Sequence, residues 1–90
     1  MKLKISEQFA KDFKLVKDVS LQEKVKNVLE MLKSAKNKDH VSQLRKIHGN
    51  DNAYKMGIGF YFLIAIMSSE QEIILMRLLH KDVLTQVLDR

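Results

Sequence analysis

Apolar and polar positions alternate along Met1–Ile5, where Lys2 and Lys4 interleave with Leu3 and Ile5. Period two over so short a stretch predicts a strand at a sheet edge, where lysines discourage further strand addition. The period then changes. Ser6 stands at an N-cap position with Glu7 in the first turn, and Phe9, Phe13 and Val16 recur at helical spacing, predicting a helix to about Lys17. Asp18-Val19-Ser20 interrupts it, and Ser20-Leu21-Gln22-Glu23 reads as a capping box that starts a second helix. Leu21, Val25, Val28, Leu29, Leu32 and Ala35 form its apolar stripe, while Lys24, Lys26, Glu30 and Lys33 project away. A connection this short predicts an antiparallel helical hairpin. Neither stripe can be buried alone, so both helices are expected on one face of a sheet.

Lys36 to Gln43 has no apolar period and reads as a loop with His40 exposed; Leu44–Ile47 is a short extended piece, ended by the turn-biased Gly49-Asn50-Asp51-Asn52. The most strand-prone stretch follows, Tyr54 to Ile66. Tyr54, Met56 and Ile58 alternate with Lys55 and Gly57, and Phe60 to Ile66 is apolar throughout, which predicts a hairpin bent near Gly59. After the polar turn Ser68–Gln71, Glu72–Leu79 is again a strand, buried on both faces near its middle. Strict alternation places Ile73, Leu75, Arg77 and Leu79 on one side and Ile74, Met76 and Leu78 on the other. Val83, Leu84, Val87 and Leu88 fall on one stripe, so His80–Arg90 is expected to end the chain as a helix.

Ninety residues predict one domain over 1–90. Without cysteine there is neither a disulfide framework nor a thiolate metal site, and no apolar run reaches membrane-spanning length. A soluble protein of the reducing cytoplasm is the expectation, with no membrane partner. The formal charge is +5, concentrated in the first half: residues 1–46 carry 12 Lys and Arg against 6 Asp and Glu, and residues 47–90 carry 4 against 5. That asymmetry fits two readings, solvated lysines on amphipathic helices or a surface for a polyanion.

No Ser-His-Asp spacing, phosphate-cradling glycine loop or HExxH motif is present, and three scattered histidines do not argue for a metal. What chemistry there is must be assembled by folding, from Lys46, His48, Tyr54, Lys55, Tyr61, Arg77, His80 and Lys81. For Tyr54 and Tyr61 the plain alternative is a sheet-face aromatic whose hydroxyl reaches water.

The order Lys46-Ile47-His48-Gly49, then Tyr54-Lys55-Met56-Gly57-Ile58-Gly59-Phe60-Tyr61, then Arg77-Leu78-Leu79-His80-Lys81-Asp82-Val83, behind a helical hairpin, resembles the RelE/ParE superfamily of toxins from bacterial type II toxin–antitoxin modules. The likeness covers nearly the whole chain. It implies an α+β fold: an N-terminal strand, the α-helical hairpin, then a twisted, mainly antiparallel sheet of about four strands with a C-terminal helix. It also implies a toxin that inhibits translation as a ribosome-dependent mRNA endonuclease, with no cofactor and no metal. In that chemistry a ribose 2′-hydroxyl attacks the adjacent phosphate, basic groups stabilise the phosphorane, and another group protonates the leaving oxygen.

Carried over residue by residue, the resemblance makes Lys55, His80 and Lys81 the catalytic candidates and Lys46, His48 and Arg77 the RNA-binding ones. Gly57 and Phe62 occupy positions usually basic in the family, and Leu84 stands where an aromatic is expected. The implied partners are a cognate antitoxin and the ribosome with its mRNA. By strand period Phe62, Ile64 and Ile66 share an apolar sheet face, whose expected cover is the chain's own Val83, Leu84, Val87 and Leu88, the antitoxin or a second copy of the chain. The alternative within the same likeness is a ParE-like inhibitor of DNA gyrase, or a homologue that only binds antitoxin.

Overall fold

The computed structural model describes residues 1–83. Along the chain run β1 (Lys2–Ile5), α1 (Glu7–Lys14), α2 (Val19–Ser34), a 3₁₀ turn (Lys38–His40), β2 (Arg45–Lys46), β3 (Ala53–Ile58), β4 (Tyr61–Ser69) and β5 (Glu72–His80). The sheet order is β1-β5-β4-β3-β2, with β1 parallel to β5 and every other neighbour antiparallel. This is the expected α+β architecture, with the two-residue β2 adding a fifth strand.

Local signals explain most boundaries. Ser6 caps α1, its hydroxyl accepting from the Phe9 N–H at 3.1 Å. α2 begins earlier than the capping-box reading placed it: Asp18 is the N-cap and accepts from the Leu21 N–H at 3.3 Å. A carboxylate there meets the positive helix end directly, which leaves Ser20 inside the first turn. α1 is shorter than expected, ending at Lys14, and Val16 reaches the core from beyond it. In the β3–β4 hairpin Gly59 has φ +59° and is followed by Phe60, the pattern of a two-residue turn with glycine in first place. Residues 81–83 are helical; the rest of the helix expected over His80–Arg90 lies outside the described residues.

One face of the sheet carries the core. Met56, Ile58, Leu63, Ala65, Ile73, Leu75 and Leu78 are buried there against Phe9 and Val16 and against Leu21, Val25 and Leu32 of α2. β5 departs from strict alternation. Ile64 pairs with Arg77 while Ala65 pairs with Leu75, so Met76 is an extra residue in a β-bulge. Beyond it every side chain changes face: Leu78 joins Ile73 and Leu75 in the core, and Arg77 and Leu79 turn to the opposite face beside Ile74. The split expected from the sequence, with Arg77 and Leu79 on the side of Ile73, is corrected by this one inserted residue.

α1 has a second task at the sheet edge. β1 stops pairing at Leu75, and the chain turns into α1 beside the remainder of β5. The backbone groups left open there are met by α1 and its cap: the Ser6 hydroxyl donates to the Met76 carbonyl at 3.0 Å, and the Leu78 N–H donates to the buried Asp12 carboxylate at 2.9 Å. A buried strand N–H without a partner would be costly, and Asp12 removes that cost.

Candidate functional site on the open sheet face

The face away from the helices is exposed to a different degree. Its strand register builds three rows of side chains, because residues directly opposite in a ladder share a face. One row runs Arg45, Lys55, Ile64 and Arg77 from β2 to β5; beside it lie Gly57, Phe62 and Leu79. The third is Ala53, Ile66, Ile74 and, on β1, Lys4. Phe62, Ile64, Ile66, Ile74 and Leu79 are each half-buried, so the face has an apolar centre with cations around it.

Phe62 organises the cations. Its ring lies over Gly57, where an added β-carbon would stand 3.6 Å from the ring, and the ammonium groups of Lys55 and Lys81 lie 5.1 and 5.2 Å from its centroid. Two lysines 26 positions apart in sequence thus converge on one ring. Each contact is favourable because the ring face is electronegative, and neither consumes an N–H donor.

Arg77 shares this face, but its guanidinium is engaged at the sheet edge. Nε donates to one Asp12 oxygen at 2.8 Å and Nη2 to the other at 3.2 Å, a two-point ion pair. Burial alone would raise the Asp12 pKa, but hydrogen bonds from Arg77, the Leu78 N–H and the Gln8 amide hold it below the ordinary aspartate value.

The remaining candidates lie elsewhere. His80 pairs with Tyr61 on the helix side of the sheet, because the Met76 bulge has turned it there. Its ring meets Tyr61 edge-on at 5.3 Å and stacks on Phe60 at 6.4 Å, and its Nδ1 accepts from the Asp82 N–H at 3.2 Å. The structure thus brings Lys55 and Lys81 together and sets His80 on the other side. Lys46 pairs with Tyr54 on the helix side at the far edge, and His48 is exposed in the turn beyond it. Arg45, directly across from Lys55, was missed by sequence reasoning because a two-residue strand carries no period to reveal its register. Asp12 was missed as well, although an acid within the stripe Phe9, Asp12, Phe13 and Val16 was a visible signal.

Among the described residues no group of three His, Cys, Asp or Glu could hold a metal ion, and no helix is long and apolar enough to cross a membrane.

Comparison with known proteins gives two results of different kind. The family model described as clathrin adaptor complex small chain matches residues 2–90. No curated protein matches. Among solved structures, a chain of the RelB–RelE antitoxin–toxin complex from Methanococcus jannaschii is similar with a TM-score of 0.78 at 23% identity, covering 93% of this chain and 96% of that one. A chain of the intact E. coli RelBE toxin–antitoxin complex has a TM-score of 0.63 at 17% identity, over 88% and 94%. The YoeB dimer from Staphylococcus aureus gives 0.61 at 16%, over 89% and 95%.

The family match compares residue patterns, whereas superposition compares the backbone path itself. At these identities the shared path establishes the fold alone, and that fold is the one seen in the RelE and YoeB structures.

Proposed function

We propose that this chain, which belongs by its sequence match to the clathrin adaptor complex small chain family and carries the fold of RelE and YoeB structures, is the toxin component of a type II toxin–antitoxin module. The adaptor role in the family's description is not carried over, because the backbone path over nine tenths of the chain and the cationic open face both favour the toxin reading. Its activity in this reading is cleavage of mRNA on the ribosome, and its regulating partner is an antitoxin that covers the open face.

The observation that carries the reading is the convergence of Lys55 and Lys81 over Phe62. A phosphodiester laid across this face meets two ammonium groups at its non-bridging oxygens, with Arg45 one strand away. As the 2′-oxygen gives its proton to water or to a neutral Lys55 amine and bonds to phosphorus, and the 5′-oxygen leaves with a proton taken from water, charge grows on the non-bridging oxygens, and fixed cations stabilise it more than they stabilise the ground state. Lys55 serves as clamp or base. His80, turned to the other face, takes no part in this step.

The Asp12–Arg77 pair favours a second reading. With Arg77 neutralised and His80 elsewhere, the face holds a polyanion without a dedicated proton donor, which suits an inhibitor that binds gyrase, or a protein that only binds antitoxin. Primer extension of mRNA in a purified translation reaction separates the two. New ends within the A-site codon, lost with Lys55→Ala and with Lys81→Ala, are expected from the nuclease. Intact mRNA at saturating protein overturns it and makes supercoiling by gyrase the next assay.

A further inference from the structure

On the helix side, away from Phe62 and its lysines, a groove of about 410 Å³ opens between the α1–α2 connection and the tip of the β3–β4 hairpin. Lys17 and Lys24 stand on one wall, Phe60, Tyr61 and His80 on the other. We propose that this groove binds one nucleotide unit of a single-stranded nucleic acid, its base stacked on Phe60 and its phosphates at Lys17 and Lys24.

Phe60 is 76% exposed, and the turn in which it sits takes its shape from Gly59 beside it. A lone exposed aromatic is ordinary. This one lies nearly parallel to His80, the ring planes 16° and the centroids 6.4 Å apart, and His80 meets Tyr61 edge-on. The result is an aromatic cluster open to water on its outer side, the form in which proteins stack bases without reading sequence. Opposite it the charge is positive. Among the described residues Lys17 and Lys24 form no ion pair. Asp18, which lines the same groove, has its carboxylate turned onto the Leu21 N–H as the α2 cap. An aromatic cluster facing two lysines outside any ion pair complements a base and its phosphates, and it complements an acidic peptide less well, because a peptide would leave the outer face of Phe60 unused.

The inference does not rest on cleavage at the open face. It is tested by fluorescence anisotropy with a labelled single-stranded RNA of about eight nucleotides, its DNA counterpart and a duplex of the same sequence. Phe60→Ala, whose exposed ring supports no core packing, is expected to weaken single-strand binding about tenfold, the size of one lost stacking contact. The Lys17→Ala/Lys24→Ala variant is expected to flatten the slope of log Kd against log salt by about 1.4, two phosphates' worth on a single strand. The Phe60 effect should persist in a Lys55→Ala background, which separates this groove from the open face. RNA and DNA bound alike place recognition in base and phosphate; tighter RNA binding adds the ribose hydroxyl to the same groove. Unchanged affinity in Phe60→Ala, a salt slope insensitive to the two lysines, equal binding of the duplex, or no binding of the single strand overturns the proposal.

Discussion

The two faces of this sheet are made from neighbouring residues of the same strands and from much the same side chains, yet their environments differ. Leu63, Ile73 and Leu75 are fully buried beneath the helices, whereas Phe62, Ile64 and Ile74, each one position away, are half-buried on a face edged by Lys4, Arg45, Lys55, Arg77 and Lys81. Isoleucine and leucine do not by themselves say whether they hold a fold together or wait for a partner. The helical hairpin decides it, because among the described residues two amphipathic helices cover one face of a five-stranded sheet and not the other.

The widest gap between the faces should be in stability. Leu63→Ala removes a side chain with no solvent exposure and is expected to cost about 3 kcal/mol, whereas Ile64→Ala on the open face should cost about 1 kcal/mol, both read from urea unfolding. Equal losses would mean that something covers the open face as completely as the helices cover the other.

Activity should divide the faces in the opposite sense. In the translation assay Lys55→Ala is expected to lower mRNA cleavage about a hundredfold, the usual loss for one cation or donor at a developing oxyanion, and His80→Ala to change it less than about threefold. A large loss from His80→Ala would place the reacting phosphate on the helix side and refute the division of labour.

Asp12 joins the faces at the β5 edge. Replacing it with Ala strands the Leu78 N–H and frees Arg77, which can still reach water; a loss of about 2 kcal/mol at neutral pH is expected. Because the folded-state pKa of Asp12 lies below its unfolded value, its contribution is fully present above roughly pH 4 and is lost as pH falls through the folded pKa. The difference between parent and Asp12→Ala should therefore shrink in acid. A difference that stayed constant below pH 4 would show that the carboxylate's charge is not what matters.

The smallest effect is the stability change in Lys55→Ala/Lys81→Ala. It removes the cation–ring contacts with Phe62, and about 1 kcal/mol or less is expected from thermal unfolding. A larger loss would make these lysines part of the scaffold.

Most of the element order could be read from hydrophobic period and caps: the lysine-flanked β1, the Ser6 cap, the α2 stripe, the Gly59 bend and the β5 run are all local signals, and each element formed within a few residues of its expected place. The candidate site was legible only in part. Lys55 and Lys81 do meet, but the alternation that placed Arg77 with Ile73 and Leu75 runs through a bulge, and it assigns the residues after Met76 to the wrong faces.

A period of two is set by each residue's own backbone, so the sequence could determine that strands exist and which residues each contains. It could not determine where one extra residue would be taken up. That choice depends on non-local terms: β4 pairing with β5, the core admitting Leu78, and Ser6 and Asp12 capping the strand edge just where the ladder shifts. One residue of slip exchanges the two faces, and in this protein it decided that Lys81 stands with Lys55 while His80 stands with Phe60 and Tyr61.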